Sequence, residues 1–252
     1  MISLMRKVLV IAFLLCDILV YAQSGNHGAE KAAWMKAVTS AEVDLSKTYA
    51  DKAIVVHADS VGLKTIDVDN ISDFYKNRRW ERVESLTSIA AFNASTHIGY
   101  EIITFRANNE NYIQLVIWNQ KEGRPLRELE VLVRSESEDN VGHEAIDAAR
   151  DEWIRVCNEH DPLKLVAERY TPDALYYNHK PLVVGTEAIA KEYGYMGNSS
   201  YQLNLTPLVT KMATSDLAFE IGQCSGSYQG KYLLVWRKSV KNGWQVALDS
   251  NI

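Results

Sequence analysis

The feature that most constrains the fold of this chain is an internal repeat with a nearly constant offset. Trp34 and Trp153 are 119 residues apart. Two further pairs of segments share this spacing to within one residue: Ile98–Ile102 with Leu217–Ile221, and Val116–Trp118 with Leu234–Trp236. An offset that holds at both ends of a unit predicts two similar domains in tandem.

The N-terminal segment has the pattern of a removable leader. Arg6 and Lys7 precede an apolar run from Val8 to Val20, and Ala22 stands where a signal peptidase cuts. The run is interrupted by Asp17 and is shorter than the roughly 20 residues that cross a bilayer. We therefore expect a signal peptide at residues 1–22, cleavage after Ala22, and a periplasmic or secreted protein with no membrane anchor in its mature form.

Composition along the mature chain indicates where the two domains meet. Residues 134–142 are polar and have no apolar periodicity, which is typical of an exposed linker. We place the domains at residues 23–135 and 143–252, with the linker at 136–142. Each has the size of a small independent domain.

Charge and motif content exclude several classes of function. The formal net charge of −5 argues against a nucleic-acid partner. There is no phosphate-binding glycine loop, dinucleotide fingerprint or metal-ligand spacing, so no cofactor and no metal are expected. Beyond the leader, Cys157 and Cys224 could form one disulfide or remain two buried thiols.

The second unit has helical spacing first and strand patterns afterwards. Apolar residues recur at helical spacing from Ala145 to Cys157, and a second helix is expected from Pro162 to Tyr170. A short strand (174–178), a short helix (186–193) and four strands follow: 201–212, 217–228, 231–238 and 243–251. This order predicts an α+β domain with helices packed on an antiparallel or mixed sheet.

The first unit repeats this order less clearly. Its pattern predicts one helix from Glu30 to about Tyr49, a strand at 54–58 and a short helix at 71–76. Four strands are expected at 85–93, 98–107, 112–119 and 127–134.

The second unit resembles the nuclear-transport-factor-2-like superfamily, and in particular the relatives of ketosteroid isomerase and of SnoaL-type polyketide cyclases. The resemblance rests on the order and spacing of six features: Trp153, Tyr170–Ala174, Gly185–Ile189, Ala218–Gly222, Gly230–Trp236 and the closing Gly243–Trp244 with Asp249 and Asn251. It implies a cystatin-like cone, in which a strongly curved sheet wraps around helices and an apolar cavity opens at one end. The first unit is interpreted as a degenerate copy through the internal repeat. Fold transfers along such a resemblance better than function does.

Three residues are candidates for acid/base chemistry. The resemblance implies a carboxylate base at the short strand after the second helix, where this chain instead has His179, which is either a base or an exposed loop residue. Glu220 interrupts an apolar strand, so it is a buried carboxylate if its face lines the cavity and ordinary surface polarity if that face meets water. Asp249 lies near the end of the last strand, where it either lines the pocket mouth or holds the C-terminus.

Aromatic residues are the candidates for ligand contact. Tyrosine offers an apolar wall with a polar tip, although tyrosines also fill ordinary cores. The residues expected to line the pocket are Tyr170, Tyr177, Tyr193, Tyr232, Trp236 and Asn251.

Two functional hypotheses follow from these observations. The first is binding of a small apolar or aromatic molecule in the second domain, with weak isomerase-like or cyclase-like acid/base activity as a possible addition. The second is a non-catalytic structural or protein-interaction module, in which the tandem domains form an intramolecular pseudo-dimer or the chain forms a homodimer.

Overall fold

A computed structural model describes residues 27–59, 62–93, 97–120, 123–135 and 143–251. The expected signal peptide and the expected linker at 136–142 lie outside these residues. In the described part of the chain, no helix is both long enough and apolar enough to cross a membrane.

The described part of the first unit contains two helices and six strands. In chain order these are α1 (Gly28–Val38), β1 (Tyr49–Ala58), β2 (Leu63–Asp67), α2 (Val68–Lys76), β3 (Val83–Asn93), β4 (Ile98–Ala107), β5 (Glu110–Asn119) and β6 (Leu126–Arg134).

The second unit repeats this order and has one additional α-helix and a 3₁₀ helix. Its elements are α3 (Glu144–Cys157), α4 (Pro162–Arg169), β7 (Tyr170–Tyr177), β8 (Val183–Val184), α5 (Thr186–Glu192), a 3₁₀ helix (Tyr193–Gly197), β9 (Leu203–Met212), β10 (Leu217–Gly226), β11 (Lys231–Ser239) and β12 (Gly243–Asn251).

The two sheets have the same topology. The strand orders are β2-β1-β6-β5-β4-β3 and β8-β7-β12-β11-β10-β9. In each sheet a single pair of neighbours is parallel, β1 with β6 and β7 with β12, and the other neighbours are antiparallel. The predicted α+β class, with helices on two mixed sheets, is confirmed, and the two units fit a tandem arrangement.

The long first helix predicted from Glu30 to Tyr49 is wrong, because α1 ends at Val38. Short polar side chains after it bond to nearby backbone and compete with the helix. Ser40 Oγ accepts from the N–H of Glu42 at 3.2 Å, and Asp44 Oδ1 accepts from the N–H of Ser46 at 3.0 Å. The chain then enters β1 at Tyr49, five residues before the start of the predicted strand Ile54–Ala58.

Two short strands were not predicted, and β7, like β1, begins earlier than expected. β2 and β8 are edge strands of five and two residues, too short for a recognisable alternation. β7 begins at Tyr170 and continues through Pro172, where its register with β12 is irregular. Pro172 has no N–H to donate to the sheet, and it lies in this irregular part of the strand. The same proline is why the sequence pattern indicated a break here.

Alternation along the strands divides the interior into three cores. Each sheet packs one face on the helices of its own unit, and its other face contributes to a core shared by both units. On β10, for example, Ala218 and Cys224 face the helices, whereas Phe219 and Ile221 lie in the shared core. The Tyr100 and Ser250 hydroxyls also form a hydrogen bond between the units at 3.2 Å.

Candidate functional site

The interior of the second unit contains a buried carboxyl group held by two tyrosines. Asp249 on β12 is 5% exposed. Its Oδ2 accepts a hydrogen bond from the Tyr170 hydroxyl at 2.7 Å and a short one from the Tyr193 hydroxyl. Trp153 on α3 donates its indole N–H to Tyr170 Oη at 3.2 Å. Strand β7, the 3₁₀ helix and α3 therefore meet at this carboxyl group.

A small cavity adjoins Asp249 and is walled by aromatic and aliphatic side chains. Its volume is about 30 Å³. Besides Asp249 and Asn251, its walls include these aromatic residues: Trp153, Tyr193, Tyr195, Tyr201, Tyr228 and Tyr232. A single buried water needs about 10–15 Å³ on this measure, so the cavity has room for one or two waters. Tyr195 is 51% exposed, and its ring lies 5.5 Å from that of Tyr201, so these rings mark the side of the cavity nearest to solvent.

No basic side chain pairs with Asp249 among the described residues. Burial raises the pKa of Asp249 to about 6, and the hydrogen bonds from Tyr193 and Tyr170 only partly oppose that effect. Burial, reinforced by the charge of Asp249, also raises the pKa of both tyrosine hydroxyls well above their usual range. The tyrosines therefore stay protonated and act as donors, while Asp249 changes charge close to neutral pH.

Glu220 lies in the same interior but is fully paired. It is 0% exposed and faces α3, where Arg150 makes two hydrogen bonds to it, Nε to Oε1 at 2.8 Å and Nη2 to Oε2 at 2.9 Å. Tyr232 and Thr210 donate to the same carboxylate at 2.8 and 3.2 Å. A carboxylate held in this way has no lone pair directed at a reactant, so it does not have the geometry of a general base.

The first unit repeats both arrangements at the repeat offset. Glu130 is the counterpart of Asp249 and accepts hydrogen bonds from Tyr49 at 2.6 Å and from Tyr75. Trp34 donates to Tyr49 Oη at 3.1 Å, as Trp153 does to Tyr170. The ion pair is repeated as well, because Lys31 Nζ lies 2.6 Å from Glu101 Oε1. The duplication therefore includes the buried polar network.

One substitution separates the two interiors. Arg127 of the first unit occupies the position that corresponds to Val246 in the second. Its Nη1 lies 2.5 Å from Glu130 Oε2, and its guanidinium packs 4.4 Å from the Trp34 ring and 5.1 Å from the Trp118 ring. The remaining cavity measures about 10 Å³. In the first unit, Arg127 therefore neutralises Glu130 and fills the space beside it. In the second unit Val246 occupies this position, so Asp249 has no neighbouring cation among the described residues and the space stays partly open.

The other predicted site residues divide between two places. Tyr170, Tyr193, Tyr232, Asp249 and Asn251 surround the second interior, where Asn251 Nδ2 donates to Tyr176 Oη at 3.3 Å.

Trp236 lies in the same core, 1% exposed, and its indole N–H has no hydrogen-bond partner among the described residues. Its counterpart Trp118 donates to Glu101 Oε2 at 2.8 Å. Tyr177 and His179 lie elsewhere, in a cleft between the two units, where both contact Glu128.

Sequence reasoning missed Arg150, Arg127 and Glu128. Arg150 could have been found from the repeat itself, because Lys31 stands 119 residues earlier. Each of these two basic residues also stands 70 residues before a strand glutamate, Glu101 or Glu220. Arg127 and Glu128 break the repeat, so only the folded arrangement shows what they contact.

The cysteines and the metal-ligating residues offer no further centre in the described chain. Cys157 and Cys224 are free and buried, and burial raises the pKa of both thiols to about 12. Among the described residues, no group of three or more His, Cys, Asp and Glu side chains is placed to hold a metal ion.

Comparisons with known proteins bear on the fold alone. The sequence matches no family model. It has no match among curated proteins. Solved structures do resemble it, and their descriptions name the cystatin-like, ketosteroid isomerase-like and nuclear-transport-factor-2-like folds that the sequence resemblance predicts.

Three of these structures illustrate the similarity. A domain of unknown function with a cystatin-like fold from Nostoc punctiforme is 19% identical over 43% of this chain and 75% of that one, with a TM-score of 0.37. A ketosteroid isomerase-like protein from Erwinia carotovora is 21% identical over 45% and 96% of the two chains, with a TM-score of 0.37. A protein of unknown function from Shewanella oneidensis, described as like nuclear transport factor 2, is 14% identical over 43% and 96%, with a TM-score of 0.38. No function follows from these similarities.

Proposed function

We propose that the second unit binds a small molecule with an aromatic or apolar body and one hydrogen-bond donor, which pairs with Asp249. The observation that carries this proposal is a buried carboxyl group without a cation beside a tyrosine-walled cavity. An unpaired buried carboxylate destabilises a fold, and the first unit shows how the same scaffold avoids that by placing Arg127 next to Glu130. A perturbed titratable group in a cavity is characteristic of a functional site.

Ligand entry requires the cavity to enlarge. The present volume of about 30 Å³ holds water and not an aromatic ring. The tyrosine rings nearest to solvent are the parts of the wall that can turn outward, since Tyr195 is half exposed and both Tyr201 and Tyr228 are partly exposed. A ligand ring would then replace a tyrosine ring against the same apolar wall.

Any acid/base chemistry in this cavity falls to Asp249. Its pKa of about 6 is close to the working pH of a general acid or base at neutrality. Glu220 is held by Arg150, and His179 lies outside the cavity. An isomerase-like or cyclase-like proton transfer would therefore depend on one carboxyl group, with Tyr170 and Tyr193 as the neighbouring donors.

Three one-ring probes of matched size test the proposal: benzyl alcohol, benzylamine and benzoate. Saturation-transfer NMR on the mature chain measures the affinity of each. We expect the two donor-bearing probes to bind at least tenfold more tightly than benzoate, and we expect Asp249→Asn to remove most of that preference. Asp151→Asn, an exposed aspartate of α3 outside the cavity, is the matched control and leaves the preference unchanged. Equal binding of all three probes by a folded wild-type protein would contradict the proposal.

The shared core between the sheets favours a second candidate function. Tyr100, Ile117 and Leu129 of the first unit pack in one core with Phe219 and Leu248 of the second. We infer that the first unit acts mainly as a structural partner, so that the tandem is an intramolecular pseudo-dimer. Expressing residues 23–135 and 141–252 as separate chains tests this: association on mixing is expected, whereas two stable and non-associating halves would contradict it.

A further inference from the structure

A cleft of about 530 Å³ lies between the two units, away from the Asp249 cavity. Its walls are largely apolar and include Ala53 and Ile54 of β1 and Pro181 and Leu182 of the turn after β7. Four exposed charged residues line it as well, two acidic and two basic: Asp51, Asp67, Lys52 and Lys180. Glu128 lines the cleft too, so acidic side chains outnumber basic ones by three to two, which disfavours an anion. The apolar walls suit the body of a small organic molecule.

Three polar side chains from both units meet in this cleft. Glu128 of β6 is 8% exposed and accepts a hydrogen bond from the Tyr177 hydroxyl at 2.6 Å. Its second oxygen lies 3.2 Å from Nδ1 of His179. The site is therefore composite, since neither unit contains it alone.

The hydrogen bond between Glu128 and His179 indicates where the protons lie. Burial acts to raise the pKa of Glu128, but the hydrogen bonds from His179 and Tyr177 outweigh it and lower that pKa, so the carboxylate is ionised and accepts only. His179 must then carry a proton on Nδ1, which in the neutral ring leaves the Nε2 lone pair as an acceptor. Nε2 is covered by protein and has no hydrogen-bond partner among the described residues, so a donor in the cleft reaches it only after a neighbouring side chain moves aside. A buried acceptor without a partner calls for a donor from outside the protein.

The pseudo-symmetry of the tandem shows that packing alone does not require these groups. The registers of the two parallel strand pairs define the counterparts on the opposite side: Ala247 for Glu128, Val56 for Tyr177 and Ala58 for His179. All three counterparts are apolar and at most 1% exposed. The same sheet packing is thus achieved on one side without a polar atom, while the other side has a buried carboxylate and its two partners.

We propose that this cleft is a second ligand site, in which His179, oriented by Glu128, accepts a hydrogen bond at Nε2 from a hydroxyl group of a small, uncharged organic molecule. The apolar walls cover the body of the ligand. Tyr177 donates a hydrogen bond to the other oxygen of the Glu128 carboxylate. It thereby fixes the carboxylate that orients His179. This site does not depend on the one proposed at Asp249, because the two share no residue.

Phenol and anisole form a matched pair of probes, since they differ in whether the oxygen can donate. The readout is the NMR signal of the His179 imidazole in the mature protein, assigned by its loss in His179→Ala. Phenol is expected to shift this signal saturably with a Kd of about 1 mM, as is usual for a fragment of this size. Anisole is expected to bind at least tenfold more weakly, and Glu128→Gln to weaken phenol binding at least fivefold. Asp249→Asn leaves the His179 response unchanged, which separates this site from the other.

A combined variant provides the structural control. Glu128→Ala, Tyr177→Val and His179→Ala together give the cleft the residues of its apolar counterpart, so this protein is expected to fold, with some loss of thermal stability from the side-chain volume removed. Phenol binding to the cleft should be lost, as measured by isothermal titration in an Asp249→Asn background. An unshifted His179 signal at about 20 mM phenol, or equal shifts with phenol and anisole, would overturn the proposal.

Discussion

Replacing Asp249 by asparagine should make the protein more stable at neutral pH while leaving it little changed in acid. The pKa of Asp249 rises from about 3.8 to about 6 on folding because the carboxyl group is buried. The folded state therefore holds the proton more tightly than the unfolded chain does. The stabilisation from that proton is fully present below about pH 3.8 and is lost as the pH rises through about 6.

The size of the effect follows from the same two values. Each pKa unit corresponds to about 1.4 kcal/mol, so the buried charge lowers the free energy of unfolding by about 3 kcal/mol at high pH. About 2–2.5 kcal/mol of this change falls between pH 4 and pH 8. Asparagine has no such dependence, and its side-chain oxygen can still accept from Tyr170 and Tyr193.

Urea unfolding at a series of pH values measures this difference directly. The quantity of interest is the free energy of unfolding of Asp249→Asn minus that of wild type, because other titrating groups cancel in the subtraction. It should rise by about 2–2.5 kcal/mol from pH 4 to pH 8. A difference that stays constant over this range would refute the reasoning, since it would mean that Asp249 is not an unpaired buried charge.

The equivalent change in the first unit is the matched control, and its sign should be opposite. Glu130→Gln removes the partner of Arg127, which is 1% exposed and cannot reach water without opening the core. Breaking a buried pair in this way costs about 3–5 kcal/mol. Urea unfolding at pH 8 should therefore show a less stable protein, and equal or greater stability than wild type would contradict the assigned role of Arg127.

Two further predictions concern residues around the second interior. Val246→Arg should reproduce the arrangement of the first unit: the pKa of Asp249 should fall below its usual 3.8, and binding of benzyl alcohol measured by NMR should disappear. Retained binding in a folded variant would contradict the assignment of the cavity. Gly222→Ala should lower the free energy of unfolding by about 1–3 kcal/mol, because a Cβ there would overlap the Tyr232 ring. A thermal melt with an unchanged midpoint would show that the ring can move at no cost.

The sequence predicted the fold well where periodicity was strong. β4 and β12 have the bounds that alternation predicts, and the offset between Trp34 and Trp153 correctly indicated equivalent positions. It failed where local hydrogen bonding decided the outcome, as after Val38, and where a strand contained a proline, as in β7.

The candidate site could be predicted only in part. Asp249, Tyr170 and Tyr193 were recognisable as candidates because they lie in or next to segments with clear helix or strand periodicity, and the structure brings the three side chains together. The pairing of Glu220 with Arg150 was not predicted, although the repeat offered a signal for it, since Lys31 and Glu101 are the same 70 residues apart. The cleft at His179 depends on Glu128 from the other unit, so it exists only once the two sheets have packed together.

The most direct test of the account is a ¹³C NMR titration of the Asp249 carboxyl group, assigned by its loss in Asp249→Asn. The account predicts a midpoint near pH 6, as expected for a buried acid with two tyrosine donors and no cation. A midpoint at or below pH 4 would contradict it, because the carboxylate would then be solvated or paired and the second interior would hold no group reserved for a ligand.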